Sequence, residues 1–209
     1  MTAPSIAIRP ATPADAPVMA RLHSEGIAEG FLPSLGPKFL TRLYGRILRT
    51  EHAFAYVAGD RDAVVGFVAG ALDISDLYRT FLVRDGVIAG LSSAPRIARS
   101  LPRVIETLRY PARSDLPRLP DAEILAVAVD AAHHGQGHGR ALVEMAVREF
   151  ERRGVRSIKV VAGADNAIAA ALYRSCGFVE EHELRVHAEV ASVAYVRAAP
   201  VDSSGIGSR

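Results

Sequence analysis

The sequence predicts one α/β domain built on a mixed sheet with helices on both faces. Three observations predict it. Short apolar or alternating runs recur between turn residues, and stripes at helical spacing separate several of them. One apolar run passes through a loop with glycine at every second position and straight into a helix. The chain has 209 residues, 49% apolar and 23% charged. That balance excludes a disordered or collagen-like chain and suits a single core with an insertion.

Ile6 and Ile8 alternate with Ala7 and Arg9, a short strand ending at Pro10. Thr12 is placed to cap the helix that follows, with Pro13 at its start and Asp15 returning the capping bond. Val18, Met19, Leu22 and Ile27 share a face of this helix. A second helix starts near Pro37, with Phe39, Leu40, Leu43, Tyr44, Ile47 and Leu48 as its buried stripe. The loop between them, 30–36, is apolar. Strands at 53–59 and 63–72 flank the polar turn Asp60-Arg61-Asp62, a hairpin by spacing. Gly66 and Gly70 inside the second strand predict a bulge or a close neighbour.

From Asp121 the order is strand, helix, strand, helix, strand, strand. Ile124 to Val129 is apolar, and Gly139 to Arg153 is amphipathic with Leu142, Val143, Met145, Ala146, Val147 and Phe150 inside. Ser157 to Ala162 is a second buried strand, and Asn166 to Cys176 a helix stopped by Gly177. Two strands follow, 178–187 and 190–197. The domain thus has its core at 6–73 and 121–197, a helical insertion at 74–120 and a tail at 198–209. The insertion holds eight arginines against four acids. They read as a solvated face, with recognition of an anionic acceptor or of a cofactor phosphate as the alternative.

Composition narrows the function classes. A net charge of +2 gives no electrostatic footprint for nucleic acid. No apolar stretch reaches the ~18–20 residues that cross a bilayer. The start, Met1 to Ser5, lacks the features of a secretory leader, so a cytoplasmic location is expected. The single cysteine, Cys176, rules out an intramolecular disulfide and a cysteine-based zinc cluster.

The chemistry concentrates in Val129-Asp130-Ala131-Ala132-His133-His134-Gly135-Gln136-Gly137-His138-Gly139-Arg140. Glycines let backbone N–H groups turn toward a ligand, and a helix start adds free N–H groups and the positive end of its dipole. Together they form an anion cradle suited to phosphate or pyrophosphate. The dinucleotide fingerprint fails: counted from Gly135 its sixth position is Arg140, and counted from Gly137 it is Leu142. A P-loop needs a lysine that is absent here.

His134-Gly135-Gln136-Gly137-His138-Gly139 resembles the Q/R-x-x-G-x-G/A pyrophosphate loop of the GNAT superfamily, the acyl-CoA-dependent N-acetyltransferases. It departs at the first position, where His134 stands in place of Gln or Arg. Asn166-Ala167-Ile168-Ala169-Ala170-Ala171-Leu172-Tyr173-Arg174-Ser175-Cys176-Gly177-Phe178 is similar to the N-x-x-A-x-x-L/F-Y-x-x-x-G-F signature of the same family. Asn166 and Tyr173 lie two helical turns apart, on one face.

The resemblance implies a mostly antiparallel central sheet whose fourth and fifth strands splay, with acetyl-CoA as co-substrate and no metal. It implies a pantetheine arm pairing with the fourth strand at Val127 and Val129. His134, Gly135, Gln136, Gly137, His138, Gly139 and Arg140 would hold the pyrophosphate, with Asn166 beside them. A primary amine of a small molecule or peptide would attack the thioester directly. Tyr173 would protonate the departing thiolate, and a backbone N–H near Val127 would meet the oxyanion. As the base that deprotonates the amine, Glu123 is favoured, acting through water, with Glu25 in reserve. The plain readings stay beside these: Tyr173 as a packed core ring, Glu123 as a strand-edge acid. His133, His134 and His138 do not read as a metal site, because glycines interrupt any helix there and no acid is clustered with them. A CoA-binding module without transferase activity is the alternative function. Pairing of two copies through the last strands stays open.

Overall fold

The computed structural model describes residues 6–27, 36–59, 63–74, 77, 119–187 and 190–198. Its elements are β1 (Ile8–Pro10), α1 (Ala16–Gly26), α2 (Pro37–Ile47), β2 (Ala53–Ala58), β3 (Gly66–Ala71), β4 (Glu123–Val129), α3 (His138–Arg152), β5 (Ser157–Gly163), α4 (Ala167–Ser175), β6 (Val179–His187) and β7 (Val190–Ala198). The expected loop at 30–35, turn at 60–62, helices within the insertion and tail beyond 198 lie outside the described residues. The two ends of the insertion meet, since Ile74 N donates to Asp121 O at 3.4 Å.

Seven strands form one sheet in the order β1-β2-β3-β4-β5-β7-β6. Every neighbouring pair is antiparallel except β4 and β5, which run parallel. Two cores cover the sheet. On one face, α1 and α2 pack Met19, Leu22, Leu40, Leu43 and Ile47 against Val57, Phe67, Ala126 and Ala128. On the other, α3 and α4 pack Leu142, Val147, Phe150 and Tyr173 against Val68, Ile124, Val160 and Tyr195. Each large apolar side chain so buried contributes about 1.5–3 kcal/mol.

Local chemistry sets where α1 enters. Thr12 N and Oγ1 both donate to Asp15 Oδ2, at 2.7 and 2.8 Å, and the Arg9 guanidinium grips the same carboxylate at 2.8 and 2.9 Å. These partners hold the Asp15 carboxyl well below the usual carboxylate range, Arg9 foremost. In β3, Gly70 meets both expectations of the sequence. A Cβ there would stand 2.6 Å from Phe54 Cζ and 2.9 Å from Phe150 Cζ. The register with β4 also slips beside it, Ala69 facing Ala126 and Gly70 facing Ile124, which leaves Leu125 as the extra residue of a β-bulge. Met145, expected inside, is half-buried, while Glu149 on the same helix is buried.

Candidate active site

β4 and β5 pair only at Glu123 with Lys159 and Ile124 with Val160. Beyond Ile124 the strands part, and the backbone of β4 faces a gap. The bulge at Leu125 decides which groups face it. Below the bulge, Lys159 N donates to Ala122 O at 3.0 Å, so even-numbered residues point toward β5. Above it, Asp130 N donates to Val65 O at 2.7 Å, so even-numbered residues point toward β3. By strand alternation, Val127 and Val129 therefore present their N–H and C=O groups to the gap.

The glycine loop sits at the open end. Asp130 Oδ1 accepts from Ala132 N at 3.0 Å and starts a short 3-10 turn, Ala131–His133. Gly135 and Gly137 adopt φ of +74° and +83°, which L side chains rarely take. Gly137 is the N-cap of α3, and no side chain caps this helix; its first intrahelical bond is Ala141 N to Gly137 O. The amides of His138, Gly139 and Arg140 thus start the helix without side-chain partners among the described residues. The start of α4 differs: Asn166 Oδ1 accepts from Ala169 N at 3.0 Å.

His134 is exposed, and its ring is tied back to the strand. Its Nε2 lies 2.8 Å from Val129 O, at the mouth of the gap. Gln136 Nε2 donates to Ala132 O at 3.4 Å, and His138 Nε2 is 3.4 Å from Gln136 Oε1. Arg140 is exposed and paired with Glu144 at 2.8 Å. Among the described residues no group of three or more His, Cys, Asp or Glu is arranged to hold a metal.

At the closed end, Lys159 Nζ lies 3.3 Å from Glu123 Oε2 and also donates to Pro120 O. Burial pushes the Glu123 carboxyl up, and Lys159 only partly offsets it. Tyr173 is buried between the rings of Phe178 and Tyr195, at 6.0 and 5.9 Å. Burial raises its hydroxyl well above the usual phenol range, and Cys176, Glu123 and Tyr195 add to the rise. The hydroxyl stays protonated at every physiological pH, the form that can donate a hydrogen bond or a proton. Glu123 and Tyr173 therefore share one neighbourhood. Glu25 does not join them: it is exposed and bound to Arg21 at 2.6 Å.

Sequence reasoning missed the partner of Glu123. The signal was present, since Lys159 is one of only two lysines and interrupts an otherwise apolar strand. It also missed the hydrogen bond between His23 Nδ1 and Tyr44 Oη, 2.6 Å, in the core under α1. A buried carboxylate at Glu149, held by Arg152, Arg153 and Tyr56, was likewise unforeseen. Its i+3 and i+4 arginines could have announced it.

Comparison with known proteins gives a consistent result. The profile described as the Acetyltransferase (GNAT) family matches residues 24–178. A curated relative, [Ribosomal protein bS18]-alanine N-acetyltransferase of Escherichia coli strain K12, is 45% identical over 62 residues, 30% of this chain and 42% of that protein. Mycothiol acetyltransferase of Kocuria rhizophila is 37% identical over 73 residues, 35% of this chain and 23% of that protein. The chain thus matches less than half the length of these relatives. The crystal structure of Arabidopsis thaliana NAA60 in complex with acetyl-CoA superposes with a TM-score of 0.59 at 17% identity, covering 92% of this chain and 98% of that one.

Proposed function

The chain belongs to the GNAT acetyltransferase family, and on that premise we propose that it transfers an acetyl group from acetyl-CoA to a primary amine. The observation that carries this reading is the uncapped start of α3, at Gly137, opening directly onto the unpaired half of β4. Amides of His138 through Arg140 bind the pyrophosphate of the co-substrate, assisted by the helix dipole. Gly135, Gln136 and Gly137 shape the loop, and Asn166 fixes the start of α4 beside it. Val127 and Val129 pair with the pantetheine amides, an exchange in which His134 releases the Val129 carbonyl.

The amine nitrogen attacks the thioester carbon, the C–N bond forms, and the C–S bond breaks as the thiolate leaves; the proton the nitrogen sheds on becoming an amide replaces, through water, the one Tyr173 gives to sulfur. An ammonium of pKa near 10.4 must first lose a proton. Glu123 accepts it through water; its raised pKa makes it a better base than an exposed glutamate. The N–H of Val127 meets the oxyanion. Tyr173, kept protonated by burial, donates to the departing sulfur. No covalent enzyme intermediate is needed, so Cys176 stays a core thiol.

The first acceptor to test is the α-amine of a peptide beginning with alanine, because the E. coli relative is named for acetylating an alanine of a ribosomal protein. Small amines come second. A cytoplasmic site of action belongs to the same proposal. So does a homodimer formed along β6, which is an edge strand.

Incubation of the chain with acetyl-CoA and a panel of alanine-starting peptides and small amines should release free thiol. Binding of acetyl-CoA with no thiol release from any amine would favour a second reading, a CoA-binding module without transfer. The engagement of Glu123 by Lys159 is the observation on that side.

A further inference from the structure

We propose that His23 receives the acceptor amine, with Nε2 hydrogen-bonded to the attacking nitrogen while Tyr44 holds the ring from its other side. The inference rests on the acetyltransferase reading and adds to it a residue that binds the acceptor.

Position comes first. Gly26, at the end of α1, packs so closely on β4 that a Cβ on it would stand 3.4 Å from Ala128 Cβ. His23 lies one turn earlier on the same helix. Tyr44, its partner on α2, packs edge-on against Phe67 with centroids 5.1 Å apart. Phe67 is the register partner of Ala128. These five residues lie together on the α1/α2 face of β4, at the level where β4 has already parted from β5. The glycine loop and α3 lead into the gap from its open end.

The chemistry of the ring comes second. His23 is only 3% exposed. An imidazole has two nitrogens that both need partners when buried. Nδ1 has Tyr44 Oη at 2.6 Å. Nε2 has no partner among the described residues and is not among their fully buried unpartnered side-chain atoms, so it meets accessible space. Burial holds the pKa of His23 down, to about 4, so the ring is neutral at neutral pH. A neutral imidazole accepts one hydrogen bond from an ammonium or amine without charge repulsion, and the bond at Nδ1 fixes which face of the ring is offered. Glu25 on α1 and Asp130 at the end of β4 are both engaged by Arg21, at 2.6 and 3.8 Å.

Two substitutions separate this role from packing. His23→Asn keeps an amide where Nδ1 meets Tyr44 and leaves nothing where Nε2 stood. His23→Gln places an amide at the Nε2 position. With acetyl-CoA and an alanine-starting peptide as probe, His23→Asn should raise the KM for the peptide about tenfold or more, the loss of one hydrogen bond to a charged group. The Kd of acetyl-CoA should stay within about twofold, and His23→Gln should recover most of the peptide KM. A peptide KM unchanged in His23→Asn, with only Tm or kcat moved, overturns the proposal. If His23→Asn does not fold, 15N spectra of the wild-type ring decide: Nε2 should shift when peptide is added to the CoA complex, and an unmoved Nε2 at saturating peptide overturns it. A wild-type chain that releases no thiol with any amine overturns the transferase reading and this inference together. An active wild type with an indifferent His23→Asn overturns this inference alone.

Discussion

Lys159 Nζ lies 3.3 Å from Glu123 Oε2, and the two residues form one of the two register pairs that join β4 to β5. Both side chains are nearly buried. The ion pair therefore fixes the closed end of the gap as well as the protonation of the proposed base. Removing the lysine leaves a buried carboxylate without its cation. Lys159→Met should destabilise the fold by about 3–5 kcal/mol in urea titration. The double variant Lys159→Met with Glu123→Gln should recover part of that loss. Full recovery of stability without recovery of turnover would separate the base from the fastening.

Tyr173→Phe removes one hydroxyl from a buried ring and leaves its contacts with Phe178 and Tyr195 in place. The kcat should fall by about 10- to 100-fold, in the lower range for loss of a general acid. The Kd of acetyl-CoA should change little. Steady-state rates beside calorimetric binding check both halves.

Gly137→Val tests the cradle. With φ at +83°, a side chain there costs about 1–2 kcal/mol. Nothing lies within 4 Å of a Cβ at this position, so the free protein should still fold. The valine fills open space at the start of α3, and acetyl-CoA binding should be lost. A folded variant that binds acetyl-CoA as well as wild type would place the pyrophosphate elsewhere.

His23 makes stability depend on pH. Its pKa falls from 6.5 to about 4 on folding because burial disfavours the charged ring. Between those values the unfolded chain binds more protons than the folded one, so stability falls as pH drops through that window. The loss should amount to about 3 kcal/mol by the lower end. Glu149 acts lower. Arg152 and Arg153 hold its carboxyl down, to about 2, so its contribution is present above the ordinary 4.5 and fades below it. Urea melts at pH 7.5, 5.5 and 4.5 should show the His23 component, and His23→Asn should flatten it.

The elements of the core were legible in the sequence because their patterns are local. Thr12 and Asp15 form the expected capping box, on a 3-10 turn that leads into α1, and Gly70 marks both a close approach and a slip in register. The glycine loop announced the helix start it forms. What stayed hidden depends on residues far apart in the chain. Lys159 meets Glu123 only because β5 lies parallel to β4, and Tyr44 meets His23 only because α2 folds back on α1. The bulge that turns Val127 and Val129 toward the gap has no marker at Leu125 itself. The register slips beside Gly70 of the neighbouring strand.

Calorimetric titration of the full chain with acetyl-CoA tests the central claim most directly. The account predicts one saturable site per chain, competed by free CoA and abolished in Gly137→Val. Absence of binding to the wild-type chain at millimolar acetyl-CoA would contradict it.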